Sequence, residues 1–382
     1  MQRILSRRRV IGYGFGGIAM SGPMASLPEA IGVRKAMAQG KPETVLYISN
    51  AGGPEICVMA MNRATGDLDI IENVKVPVEK PSPTSMPLSV TPDRRFLHAA
   101  IRSEPYTVAS FAIDRATGKL SHVANAPLIA SMAYATTDRT GKWLVCASYP
   151  NAVLTLNAIN SDGRIETPPK QVIQTKPKAH GIILDAANKH AYSAVLGGDI
   201  IMQMKFDAAH GTLTPNDPAT ISTRAGAGPR HLRLHPSGKF LYLITETTAT
   251  IGAYAIDKDK GTLTELQFVD TLPADFKGDA SAADLHVTPD GKFLYGSERK
   301  TSTLTGFRID PDKGTLSPIG RFPTEKTPRG FAIDPRGKFL YAVGLDSNGM
   351  TAYAIDPQSG ELKPIKQYKM GAMPNWLEFV DL

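Results

Sequence analysis

From residue 44 onward the chain alternates short runs of apolar and polar residues with turns, the two-residue rhythm of strands rather than the 3.6-residue rhythm of long helices. One unit shows the pattern most clearly. Pro328-Arg329-Gly330-Phe331-Ala332-Ile333 is followed by the turn Asp334-Pro335-Arg336-Gly337-Lys338, then Phe339-Leu340-Tyr341-Ala342-Val343, then Met350-Thr351-Ala352-Tyr353-Ala354-Ile355. A fourth run follows Gly360, so the unit predicts a four-stranded antiparallel meander.

The unit repeats. A Gly-x-Leu/Ile turn, or its near equivalent, recurs at Gly66, Gly118, Gly163, Gly211, Gly261, Gly314 and Gly360, at intervals of 52, 45, 48, 50, 53 and 46 residues. The turn between the first two strands recurs with it, at Pro92-Asp93-Arg94-Arg95, Thr140-Gly141-Lys142, Asn188-Lys189, Pro236-Ser237-Gly238-Lys239 and Pro289-Asp290-Gly291-Lys292. Seven meanders of four strands predict an all-β fold, a seven-bladed β-propeller. The first run, Thr44-Val45-Leu46-Tyr47-Ile48, matches a second strand. The last, Pro374-Asn375-Trp376-Leu377-Glu378-Phe379, matches a first strand. The two ends should therefore share one blade and close the ring, which removes open sheet edges. One domain is expected, residues 41–382.

Composition agrees: 42% hydrophobic and 21% charged residues are ordinary globular values, and 29 Pro with 34 Gly imply many turns. Only two cysteines occur, Cys57 and Cys146, so there is neither a disulfide framework nor a cysteine metal site, and both read as small buried hydrophobes. The net charge of +7 comes mostly from residues 1–38, which hold six basic side chains against one acidic. The rest is close to balance, and no basic run with interleaved aromatics appears. No nucleic acid partner is expected.

Residues 1–38 read as an export signal. Ser6-Arg7-Arg8-Arg9-Val10-Ile11 resembles the twin-arginine motif, a glycine-broken apolar stretch follows, and Ala36-Met37-Ala38 offers a cleavage site. The implied partner is the twin-arginine export machinery, the implied location is the periplasm, and no stable membrane anchor is expected. Gly12, Gly14 and Gly17 spell GxGxxG, but no strand precedes them and no dinucleotide site follows.

In such meanders, the starts of first strands and the ends of second strands from all seven blades converge on one mouth of the central channel. Polar residues are concentrated there. His180, Arg230, His231, Asp284, Arg329 and Asn375 stand at first-strand starts; Arg102, Tyr149, Glu246 and Arg299 stand at second-strand ends. Asp275, Lys277 and Asp279 occupy the longest link on the same face, a candidate lid. Guanidinium groups at one concave site fit an anionic ester-like substrate, with Glu246 or a histidine handling the proton. No GxSxG elbow and no HExxH occur, which leaves a serine hydrolase or zincin without support. His98, His122, His190, His210 and His235 lack ligand spacing and read as strand or turn histidines.

Three segments carry a family resemblance: Gly226-Ala227-Gly228-Pro229-Arg230-His231, Ala283-Asp284-Leu285-His286-Val287-Thr288-Pro289-Asp290-Gly291, and Thr327-Pro328-Arg329-Gly330-Phe331. With them the chain resembles the seven-bladed lactonase family, which includes cycloisomerase-type 6-phosphogluconolactonase and carboxymuconate cyclase. The resemblance carries over to His180, Arg230, His231, Glu246 and Arg299; with the placement at the mouth, Glu246, His180, Arg230 and Arg299 are expected to be catalytic and His231, Asp284, Arg329 and Arg102 to bind substrate. The expected reaction is lactone ring opening on a small anionic lactone, with no metal and no cofactor, by a monomer. Thr245 precedes Glu246 where the phosphogluconolactonase branch tends to have asparagine, and Glu298 precedes Arg299 where aspartate is common. These differences bear on the substrate more than on the reaction. Lactonisation of a muconate and ligand binding without turnover are the alternatives, and calcium-dependent gluconolactonase chemistry would differ by its sensitivity to a chelator.

Overall fold

The computed structural model describes residues 41–382, so the expected export signal and its cleavage site lie outside the described residues. The described chain forms seven four-stranded antiparallel sheets. Their innermost strands are Leu88–Val90, Met132–Thr137, Ala179–Leu184, Pro229–Leu234, Ala282–Val287, Pro328–Ile333 and Pro374–Asp381. Numbering the blades from the N-terminus, Pro374–Asp381 is the inner strand of blade 1, paired along its length with Thr44–Asn50. The two ends of the ring thus close in one sheet, as the strand pattern predicts. Among the described residues, helix is confined to one short turn, Leu196–Gly198.

The recurrent glycines have one structural cause. All seven adopt φ between 63° and 83°, a left-handed conformation that costs other residues strain. Each also seats its turn on a residue at the beginning of the second strand of the preceding blade. A Cβ at Gly163 would run into Phe96, at Gly211 into Trp143, at Gly261 into His190, at Gly314 into Phe240, at Gly360 into Phe293, at Gly66 into Phe339 and at Gly118 into Val45. In four blades a tyrosine of the second strand then donates to the carbonyl of the same glycine: Tyr47 to Gly118 at 2.7 Å, Tyr242 to Gly314 at 3.0 Å, Tyr295 to Gly360 at 2.7 Å and Tyr341 to Gly66 at 2.6 Å. Sequence repeat and blade packing are therefore the same feature, placed on the face opposite the mouth.

Between blades the core is apolar. Phe240, Tyr242 and Ile244 of blade 5 pack on Ala282, Leu285, Leu294 and Phe307 of blade 6, and equivalent clusters fill the other junctions. Each such side chain contributes roughly 1.5–3 kcal/mol when fully buried. Cys57 and Cys146 belong to this packing, unpaired, with burial pushing both thiols up to about 12.

Candidate active site

Six of the seven inner strands break register near their start, so that one extra residue lies on the inner strand. The bulged residue is Ala133 in blade 3, His180 in blade 4, Arg230 in blade 5, Arg329 in blade 7 and Asn375 in blade 1; in blade 6 the irregularity spans Ala283 and Asp284. A bulge releases a residue from the ladder and re-aims its side chain. Lys178, Gly228, Thr327 and Met373, two residues before His180, Arg230, Arg329 and Asn375, all have φ between 56° and 66°. For the three that are not glycine, this is backbone strain held by the surrounding fold. It sits where side chains turn into the channel mouth.

There the structure brings together most of the residues expected from the sequence. Arg230 is 1% exposed; its Nε donates to Glu246 Oε2 at 2.8 Å, and its Nη1 donates to the Ala283 carbonyl. Glu246 Oε1 meets Arg299 Nη2 at 3.2 Å, and Arg299 Nε donates to the Ser281 carbonyl at 2.9 Å. Arg102 donates from Nη1 to Ser85 Oγ at 2.9 Å and from Nε to Ser131 Oγ at 3.2 Å. Among the described residues, the Arg329 guanidinium makes no hydrogen bond or ion pair. Arg230, Arg299 and Arg329 thus act on one carboxylate, Glu246, and Arg102 adds a fourth guanidinium to the mouth.

The charges show the strain of this surplus. Burial and the nearby Arg299 bring Arg230 down to about 10, although Glu246 and Asp284 oppose this. Burial, then Arg230, Arg299 and Arg102, hold Arg329 well below the usual arginine range. Burial alone would raise Glu246, but Arg230, Arg299 and Arg329 keep its carboxyl below the ordinary range. Glu246 is therefore ionised with both oxygens occupied, better suited to anchoring two arginines than to taking a proton. His180 is the other expected proton acceptor. It is 3% exposed, lies edge-on to Tyr149 at 5.7 Å and His231 at 5.0 Å, and has no partner for Nδ1 among the described residues. Burial, then Arg230, His231, Arg329 and Arg102, keep its imidazole neutral.

His231 and Asp284, expected as substrate contacts, form a layer below the mouth. His231 Nδ1 lies 2.9 Å from Asp284 Oδ1 and its Nε2 lies 3.2 Å from Arg230 Nη1. Guanidinium can only donate, so Nε2 accepts and the proton resides on Nδ1, donated to Asp284. Burial and Arg230 depress His231 to about 3. Asp284 Oδ2 meets His286 Nε2 at 3.2 Å, and Arg233 approaches Oδ1 at 3.6 Å. Burial alone would raise this carboxyl, but His286, His231 and Arg233 hold it well below its ordinary range. Both of its oxygens serve protein groups. Its place in the structure is support for His231 and, through it, for Arg230.

Further residues complete the channel and have no place in the reading of the sequence. Tyr134 and Trp376 pack against His231 at ring separations of 5.1 and 5.9 Å. One layer lower, Arg233 donates to the Tyr134 hydroxyl at 2.6 Å, and Trp376 donates to Glu378, whose carboxyl burial pushes up to about 7. The signal was present as residues two apart, Arg233 after His231 and His286 after Asp284, since alternate residues line one side of a strand. Asp275, Lys277 and Asp279 are exposed in their link and make no hydrogen bond or ion pair with the mouth residues.

A roomier cleft lies elsewhere, at the rim between residues 77–80 and 103–107. The axial cavity, lined by Ser85, Ala133, Arg230, His231, Asp284, Arg329, Asn375 and Trp376, is narrower. Shifted titratable groups and unpartnered cations converge on the axis, and that decides the assignment. Among the described residues, no three His, Cys, Asp or Glu side chains cluster to hold a metal ion. The mouth can bind anions, stabilise an oxyanion and offer a neutral imidazole as proton acceptor.

Known proteins are similar to this chain in sequence and in fold. The family model described as "Lactonase, 7-bladed beta-propeller" matches residues 46–379. A 6-phosphogluconolactonase of Serratia proteamaculans is 34% identical over 290 residues, covering 76% of this chain and 85% of that protein. One of Yersinia pestis is 32% identical over 332 residues, covering 87% and 96%. Among solved structures, the periplasmic gluconolactonase of Pseudomonas aeruginosa superposes with a TM-score of 0.81 at 26% identity, covering 88% of this chain and 99% of that one.

Proposed function

Since the chain belongs to the seven-bladed β-propeller lactonase family and is a lactone hydrolase, we propose that it opens the ring ester of a sugar-acid lactone at the axial mouth. The carrying observation is the surplus of guanidinium over carboxylate beside a buried neutral imidazole. In this reading, water attacks the lactone carbonyl carbon while His180 takes the water proton. The oxyanion that forms is held by Arg230 and Arg299, themselves fixed by Glu246. Collapse breaks the ring C–O bond, the leaving alkoxide takes the proton back from His180, and the product is an open hydroxy acid. A general base typically contributes ~10²–10⁴ in rate and a single oxyanion donor ~10²–10³.

The donor set supports chemistry without a metal, because Glu246 at the mouth is committed to two arginines and Asp284 below it to His231 and His286. A twin-arginine leader would place the enzyme in the periplasm, and the similarity to a gluconolactonase described as periplasmic agrees with that location. The substrate there would be an aldonolactone released by an outward-facing sugar dehydrogenase. The test is turnover of D-glucono-1,5-lactone and 6-phospho-D-glucono-1,5-lactone by purified protein with and without EDTA. Hydrolysis that withstands the chelator is expected. Absence of hydrolysis, or loss restored by added calcium, would overturn the reading.

A further inference from the structure

Each second strand ends at the mouth beside the start of its own first strand, and the residues at those ends are Asn50, Ile101, Ser148, Val195, Thr245, Glu298 and Gly344 in blades 1 to 7. Blade 6 alone places a charge there. Glu298 is fully buried, and all its partners are neutral donors: Oε1 accepts from the Ser281 N–H at 2.6 Å, Oε2 from the Thr301 N–H at 2.6 Å and from the Thr301 hydroxyl at 2.8 Å. Burying a carboxylate is costly, and the other six blades assemble without one, so ring assembly does not account for this side chain. Nor would an amide serve in its place. Each carboxylate oxygen faces a backbone N–H, and the NH2 group of a glutamine would have to meet one of them donor to donor.

What Glu298 holds is the start of the run Ser281-Ala282-Ala283. The Ser281 carbonyl accepts from the Arg299 backbone N–H at 3.1 Å and from its Nε at 2.9 Å, the Ala282 carbonyl accepts from Arg299 Nη2 at 3.3 Å, and the Ala283 carbonyl accepts from Arg230 Nη1. Three successive carbonyls thus aim the two guanidiniums that Glu246 bridges. Residues 277–280, which lead into this run, make no hydrogen bond among the described residues, so Ser281 is where the longest inter-blade link becomes fixed. Resting on the oxyanion role of Arg230 and Arg299 argued above, we propose that Glu298 is a positioning residue for lactone hydrolysis: its carboxylate pins Ser281, and the carbonyls that follow hold both guanidiniums where the oxyanion forms. It touches neither the substrate nor the reacting atoms. Donors held in place before the reaction need no reorganisation as charge develops, and a shift of about 1 Å in such a group can cost ~10²-fold in rate. The oxyanion exists only in the transition state, so the effect belongs to kcat rather than to KM.

The experiment follows hydrolysis of D-glucono-1,5-lactone and 6-phospho-D-glucono-1,5-lactone by the wild type, Glu298→Gln, Arg299→Gln and the double variant, with Asp334→Asn as a matched control. Asp334 is also a buried carboxylate, accepting from the Lys338 and Phe339 N–H groups at 2.6 and 2.7 Å, but it lies on the opposite face. Its amide should lower the melting temperature and leave kcat unchanged. Glu298→Gln should lower kcat roughly 10- to 100-fold with KM little changed. In the Arg299→Gln background the same replacement should cost several-fold less, since a guanidinium that it positions is gone. Thr301→Val keeps the test open should the amide block folding: it withdraws one donor from Oε2, loosens the carboxylate, and should lower kcat roughly 3- to 10-fold. Wild-type kcat in folded Glu298→Gln or Thr301→Val, an equal loss in Asp334→Asn, or an undiminished loss in the Arg299→Gln background would overturn the positioning role alone. Failure of the wild type on both lactones, or full activity of Arg299→Gln, would overturn the parent reading and the role with it.

Discussion

Replacing Glu246 by Gln separates the two roles open to this side chain. Gln keeps the shape but removes the charge that meets Arg230 at 2.8 Å and Arg299 at 3.2 Å. Arg230 is 1% exposed, so it would stay behind as a buried cation without its carboxylate. Breaking a fully buried pair costs about 3–5 kcal/mol, but the Glu246 side chain is 24% exposed and water screens part of that loss. About 2 kcal/mol is the reasoned value. With ~2.1 cal/mol/K of unfolding entropy per residue over the roughly 340-residue ring, this corresponds to a Tm lower by about 3 °C. Turnover of gluconolactone should fall ~10²–10³, as when an oxyanion donor is misplaced.

The pH profile decides between base and anchor. A base with a depressed pKa is active above that value and fails as pH falls through it. If His180 is the base, Glu246→Gln retains an acid limb, and this limb moves towards lower pH because Arg230, which already depresses the imidazole, loses the carboxylate that offsets it. His180→Gln would instead remove the limb along with ~10²–10⁴ in kcat. Steady-state kinetics between pH 4 and 9, with a thermal melt of each variant, provide the assay. Disappearance of the limb in Glu246→Gln and its persistence in His180→Gln would refute the assignment of the base.

Three further outcomes follow from the geometry. Tyr242→Phe should cost about 1–3 kcal/mol by chemical denaturation, because it orphans the buried Gly314 carbonyl, whereas Tyr192→Phe should be neutral or slightly stabilising, since the Tyr192 hydroxyl has no partner; equal effects would contradict the fastening role of the tyrosines. Removing the last ten residues deletes the inner strand of blade 1 and leaves Thr44–Asn50 as an open edge, so the truncated chain should aggregate or melt early, and an unchanged melt would refute ring closure through that strand. Gly181→Ala sets a Cβ 2.6 Å from the Arg230 carbonyl oxygen, and a displacement of this size at the site should reduce turnover ~10²-fold with a smaller effect on stability; full activity would show that the mouth tolerates movement of Arg230.

The architecture was legible because its determinants are local and repeated. Gly66 through Gly360 mark the same turn seven times, and Tyr47 in the first run betrays a second strand by matching Tyr242, Tyr295 and Tyr341. The arginines of the mouth were legible for a related reason, since the starts of first strands and the ends of second strands lie on the same face. What the sequence did not disclose is the bulge. Its extra residue shifts the alternation at Arg230, so His231 and Arg233 point to the axis one layer and two layers down, and neither the depth of Asp284 nor the company of Tyr134 and Trp376 follows from spacing. The engagement of Glu246 by two arginines from different strands is a contact between distant segments, and no local pattern encodes it.

The seating of each turn glycine on a side chain at the beginning of the preceding blade's second strand has a consequence for how such an enzyme can change. Cohesion of the ring is delegated to seven like joints at the far end of the barrel from the reacting groups. Exchanging a bulged residue at the opposite end, where the ladder makes no demand on its identity, leaves every joint intact. New specificities can therefore be sampled one side chain at a time without endangering assembly, and the same frame can serve lactones of quite different polarity.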